Sequence, residues 1–153
     1  MSDRDIPGIV APPPLLYAGG LLVGLAVHHF LPQVLLPRPW ARVIGTMLLA
    51  AGLIGFGAIW SFRRAGTSPN PWQPSARLVT GGPYRVTRNP MYLGFTLLYL
   101  GISCWVNTLW PLLLLPVILW VMQRGVIYRE ETYLERRFGE EYRHYRMRVR
   151  RWV

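Results

Sequence analysis

Four apolar runs dominate the chain, and each approaches the roughly 20 residues that a helix needs to cross a bilayer at about 1.5 Å of rise per residue. They extend over about residues 14–31, 41–62, 90–106 and 109–126. In hydrocarbon every backbone polar group must be satisfied within its own segment, so runs of this length predict an all-α integral membrane protein with about four transmembrane helices. Only Asn107 and Thr108 separate the third run from the fourth, which predicts a tight helical hairpin. Composition agrees: of 153 residues 52% are hydrophobic and 16% charged, too apolar for an ordinary soluble domain. The chain reads as a single membrane domain. Asp3, Arg4 and Asp5 stand ahead of the first run in place of a basic cluster, and no small-residue cleavage site follows it, so it reads as a span and not as a cleaved signal.

Charge supplies the orientation. The formal charge of +10 rests on 17 basic residues, all of them arginine. Arg38 and Arg42 separate spans one and two; Arg63, Arg64, Arg77, Arg85 and Arg88 fall between spans two and three, and most others lie from Arg124 onward. The positive-inside rule then places the 63–89 loop, the 127–153 tail and both termini in the cytoplasm. Arginines that flank apolar spans do not form one soluble basic patch, which argues against nucleic acid as a partner. A chain with arginine and no lysine fits a GC-rich bacterial genome, and so a bacterial inner membrane. The single cysteine, Cys104, excludes a disulfide scaffold and a cysteine-based zinc site, and no metal is expected. Gly20 with Gly24, and Ala51 with Gly55, make small-xxx-small faces that pack helices within one chain or between two, which leaves the oligomeric state open. Pro111 and Pro116 are expected to bend span four.

Two segments carry polar chemistry. The 63–89 loop holds Gly66, Pro69, Pro71, Pro74, Gly81, Gly82 and Pro83, so it should be a chain of turns. It ends in Gly82-Pro83-Tyr84-Arg85-Val86-Thr87-Arg88-Asn89-Pro90-Met91-Tyr92-Leu93-Gly94. Asn89 followed by Pro90 reads as N-cap and first helical position, and Arg88 beside that helix start makes a site for a carboxylate or phosphate. The tail holds all five glutamates. Along it Leu134, Phe138, Tyr142, Tyr145 and Val149 lay one apolar stripe on an amphipathic helix. A lipid-binding helix explains the stripe and the arginines, but not Glu130 and Glu131, adjacent carboxylates just past a membrane exit where an anionic surface would repel them. A cationic ligand explains that pair.

Together the two segments resemble the isoprenylcysteine carboxyl methyltransferase and phospholipid methyltransferase family of integral membrane enzymes. The first signature of that family is matched by Gly82, Pro83, Tyr84, Arg88, Pro90, Tyr92 and Gly94, and the second by Glu130, Glu131, Leu134, Phe138, Gly139, Tyr142, Tyr145, Val149 and Arg151. Asn89 stands where the family usually has histidine, and an amide cannot titrate near neutral pH. The resemblance implies transfer of a methyl group from S-adenosylmethionine to a lipophilic acceptor, a carboxylate, thiol or amine on a lipid or small hydrophobic molecule, with the loop and tail forming the cofactor site. It implies cofactor contacts at Arg88, Asn89, Pro90, Tyr92, Gly94, Glu130 and Glu131, and designates no catalytic base. Two alternatives stand beside it. One is an NADPH-dependent membrane reductase of related architecture, against which Phe95 follows Gly94 where such reductases carry an acid; the other is a non-catalytic lipid-binding membrane protein.

Overall fold

A computed structural model describes residues 6–70 and 72–153, and these are helical or irregular, with no strand among them. The helices are α1 (Pro13–Phe30), α2 (Arg38–Gly52), α3 (Ile54–Arg64), α4 (Pro90–Val106), α5 (Trp110–Met122), α6 (Tyr128–Phe138) and α7 (Glu140–Arg148). Three helical stretches are long and apolar enough to cross a membrane: α1, the 27-residue rod Arg38–Arg64 in which α2 and α3 meet at Leu53, and the 29-residue rod Trp110–Phe138 that joins α5 to α6. The apolar helix α4 is shorter. Side chains such as Leu22, Trp40, Met47, Leu113, Val117 and Trp120 are exposed around this bundle, as a lipid-facing belt requires. The Arg64 guanidinium stacks 3.4 Å over Trp60 at the end of the second rod, an amphipathic pair suited to the headgroup level.

Several boundaries differ from the hydropathy reading. Span two begins at Arg38, because the Pro37–Arg38–Pro39 sequence starts a helix ahead of the apolar run. The helix of span four continues past 126, beyond the apolar run: a π-helical segment, Gln123–Ile127, carries the backbone straight into α6. The tail is not one helix. Gly139, at φ 52° and ψ −121°, separates α6 from α7, and Val149 is already extended. The stripe survives this break, since Leu134, Phe138, Tyr142, Tyr145 and Val149 all pack in one cluster with Ala58, Val79 and Tyr84. It faces protein, not lipid. Pro111 sits in the first turn of α5, where proline is tolerated, so that only Pro116 lies inside the helix. The hairpin turn is as expected, with Asn107 left-handed at φ 62°.

Small residues set how close the helices come. Gly24 packs on Pro111 of α5, and Gly94 of α4 lies against Gly52 and Gly55, where an added Cβ would fall 2.8 Å from the Gly55 Cα. Ala51 is exposed, so the working face of the second rod is Gly45, Gly52 and Gly55 in place of Ala51 with Gly55. Within the bundle, a second core of Tyr17, Tyr92, Tyr99, Ile118, Met122, Val126 and Ile127 ties α1, α4 and the α5–α6 rod together. Met91 touches both cores, which places the start of α4 where the loop, the tail and the bundle meet.

Candidate active site

The start of α4 is built by residues far away in sequence. Thr87 is fully buried and its hydroxyl donates to the Arg151 carbonyl at 3.0 Å. The Arg88 backbone N–H donates to the Arg150 carbonyl at 2.9 Å. Asn89 occupies the N-cap position with Pro90 as the first helical residue, yet its side chain does not cap the helix. Its Nδ2 donates instead to the Arg151 carbonyl at 3.0 Å, a bond that a capping rotamer would forgo. That corrects the capping role expected of Asn89.

Between this helix start, the turns of the 66–81 loop and the α6–α7 tail lies a pocket of about 830 Å³ of atom-free space, its open mouth included. Arg88, Asn89, Tyr92, Glu130 and Glu131 all line it. Of the other expected contacts, Pro90 is buried beneath the wall and Gly94 is spent on the approach to the second rod. Sequence reasoning missed the opposite wall, where Ser68, Asn70, Gln73 and Arg77 contribute polar groups, and the aromatic floor of Tyr84 and Tyr133. The one available signal was polar residues interleaved with prolines over 68–77, which any solvated loop also shows. The tail holds that loop in place: the Ser75 N–H donates to Tyr133 Oη at 2.9 Å, and Arg137 Nε donates to the Ser75 carbonyl at 2.5 Å.

The two adjacent glutamates have different surroundings. Both oxygens of Glu131 are taken: Arg151 donates from Nε to Oε1 at 2.9 Å and from Nη2 to Oε2 at 2.5 Å, while Arg88 Nη1 lies 3.0 Å from Oε1. Arg88 Nη1 also donates to Tyr142 Oη at 3.2 Å. Glu130 receives one hydrogen bond, from the Tyr92 hydroxyl to Oε1 at 2.6 Å, and among the described residues no arginine pairs with it. Closely surrounded by protein although open to the pocket, its carboxyl is pushed up to about 7 by burial, with the Tyr92 hydrogen bond opposing and the neighbouring Glu131 adding to the rise. Burial first, and then Glu130, likewise hold the Tyr84 phenol well above its ordinary value. Arg88 Nε is buried with no partner among the described residues. The pocket thus offers a carboxylate without a cation and an arginine on its wall, a pattern that fits a ligand carrying both charges.

The family model for phospholipid methyltransferases matches residues 40–141. An uncharacterised protein of Haemophilus influenzae is 41% identical over 63 residues, covering 41% of this chain and 100% of that protein. The protein-S-isoprenylcysteine O-methyltransferase of Schizosaccharomyces pombe is 38% identical over 72 residues, covering 47% of this chain and 30% of that enzyme. No solved structure matches. The matched stretch runs from α2 into the start of α7 and takes in Arg88, Tyr92, Glu130 and Glu131, so the chain, an all-helical integral membrane protein, belongs to the phospholipid methyltransferase family.

Proposed function

We propose that the protein transfers a methyl group from S-adenosylmethionine to a lipophilic acceptor at the membrane–cytoplasm interface. The observation that carries this reading is Glu130, a pocket carboxylate whose one polar partner is the Tyr92 hydroxyl and which lacks a cation among the described residues. S-adenosylmethionine, with an ammonium, a sulfonium and a carboxylate, matches that gap and the Arg88 charge on the pocket wall together. When bound, it supplies a methyl group already activated by the sulfonium. The chain then has to bind, align and exclude water, and needs little acid–base machinery. Glu130 holds positive charge, with Tyr92 fixing its orientation. Arg88 and Asn89, beside the helix start at Pro90, face the carboxylate end, where the Arg88 charge and the helix dipole favour an anion. Tyr84 and Tyr133 supply apolar walls.

A lipophilic acceptor is supported by the lipid-facing side chains around the bundle and by the resemblance of both motifs, and its methylated group is a carboxylate, thiol or amine on a lipid or small hydrophobic molecule. The arginine asymmetry supports a pocket that opens to the cytoplasm of a bacterial inner membrane, with both termini on that side. Radiolabelled methyl transfer from S-adenosylmethionine into membrane extract tests the reaction. Label should appear in an extractable lipophilic product with the parent and be lost with Glu130→Gln; label in neither, together with binding of NADPH, would replace the reading with a reductase.

A further inference from the structure

Beyond α7 the chain turns extended at Val149 and lies across the start of α4. The carbonyls of Arg150 and Arg151 accept hydrogen bonds from the Arg88 N–H, the Thr87 hydroxyl and the Asn89 amide, and Trp152 packs against the core that contains Tyr17 and Tyr92. The same Arg151 sends its guanidinium to α6, where it grips Glu131 through Nε and Nη2 while Arg88 shares one of the oxygens. Residues 149–152 are thus a strap that joins three parts of the pocket wall. The Glu131 side chain is 11% exposed, and both its oxygens are already occupied by the strap and by Arg88. Its neighbour Glu130 has no such pairing.

We propose that Arg151 is a positioning residue: by pairing with Glu131 it fastens the strap across the start of α4 and holds Arg88 and Asn89 in place for the anionic end of the cofactor. Glu131 then acts through this pair and does not touch the cofactor, so the two adjacent glutamates divide the work between ligand charge and wall geometry. The inference rests on the methyltransferase reading of the pocket, and it takes the tail beyond α7 from a terminus to a part of the site. Breaking a partly buried pair leaves an unpaired charge on the surviving partner, and the Glu131 end is the more enclosed, so each half is expected to matter on its own.

The test uses the full chain in detergent, as Arg151→Ala, Glu131→Gln, their double variant and the milder Arg151→Lys. In ligand-free protein, deuterium exchange at the Arg88 amide should be faster in Arg151→Ala and Glu131→Gln than in the parent. Calorimetry with S-adenosylmethionine should give affinities about tenfold weaker for each single variant, with the double variant no weaker than either and Arg151→Lys intermediate. Losses that multiply in the double variant would mean that Glu131 contacts the cofactor directly, and would overturn the proposal; so would unchanged exchange at Arg88. If Arg151→Ala fails to fold, Arg151→Lys decides, since parent-like exchange and affinity in that variant would equally overturn it. A parent that binds no S-adenosylmethionine refutes the methyltransferase reading, while exchange at Arg88 still decides for or against the strap.

Discussion

Glu130 and Glu131 are one peptide bond apart and face different partners, and that difference gives the site a pH dependence. The Glu130 carboxyl stands near 7 instead of its ordinary 4.5, chiefly through burial, with Glu131, Tyr92 and Tyr84 as the titratable groups around it. A carboxyl whose value is raised on folding binds more protons in the folded chain than in the unfolded one. Its contribution to stability is therefore fully present below about 4.5 and is lost as pH rises through about 7. A cationic ligand favours the ionised form, so its affinity should rise with pH through the same window and its binding should release a proton below about pH 7. Calorimetry at several pH values and in buffers of different ionisation enthalpy measures both, and Glu130→Gln should abolish them. Asn89 supplies a second residue-scale test. Its Nδ2 donates to the Arg151 carbonyl, so Asn89→Asp, which keeps shape and removes the donor, should cost about 1–3 kcal/mol, whereas Asn89→His, which keeps an N–H, should melt closer to the parent. Equal melting temperatures for the parent and Asn89→Asp would remove that role. Glu130 and Asn89 were both legible in sequence as site residues, but their partners were not, because each lies far along the chain: 38 residues for Tyr92 with Glu130 and 62 for Asn89 with Arg151.

Helix lengths were easier to read than helix ends. The apolar runs located α1, α4 and the two rods because lipid imposes one long period of hydropathy on each. The continuation of α5 into α6 was hidden, since a π-helical segment satisfies the backbone without any capping residue to mark a boundary. The break at Gly139 was hidden for the opposite reason: the apolar spacing crosses it undisturbed, and both halves of the stripe reach the same core. Helix faces were legible only in part. The glycine pattern pointed to close packing, but the true contact face pairs Gly94 with Gly52 and Gly55 at backbone distance. Backbone cannot yield as a flexible side chain does, so Gly94→Ala should destabilise the protein by about 1–3 kcal/mol, read as a lower melting temperature in detergent. Ala51→Gly, on the exposed side of the same rod, should cost at most the helix-propensity difference of about 1 kcal/mol.

For the molecule as a whole, polar contacts divide the bundle into two ends. At one end Asn107 accepts from the Leu35 and Leu36 N–H groups and donates to the Leu36 carbonyl, while Trp110 Nε1 donates to the Leu31 carbonyl at 2.6 Å. These contacts bind the α1–α2 connection to the α4–α5 turn. At the other end the 66–89 loop meets α6, α7 and the strap. This grouping puts the α1–α2 and α4–α5 connections at one end and the loop and tail at the other, the arrangement that four crossings oriented by the arginines require. Cysteine introduced at Gln33 should react with an impermeant thiol reagent only from outside the cell, and cysteine at Thr80 only after permeabilisation; Cys104, being buried, should contribute little background. Labelling of both from one side would discard the topology. The loop wall with Asn70, Gln73 and Arg77 was not foreseeable at this scale, because its placement comes from irregular turns held by Tyr133 and Arg137 and not from any periodic signal.

The central claim is that a pocket between loop and tail binds S-adenosylmethionine through Glu130. Its most direct measurement is calorimetric titration of the detergent-solubilised parent and of Glu130→Gln with S-adenosylmethionine, at a pH about one unit above the raised carboxyl value. Charge-assisted contacts are worth about 1.5–3 kcal/mol, so the parent should bind and the variant should bind roughly ten- to a hundredfold more weakly, with unchanged folding. Equal affinity in the two proteins, or no binding by the parent, would contradict the account.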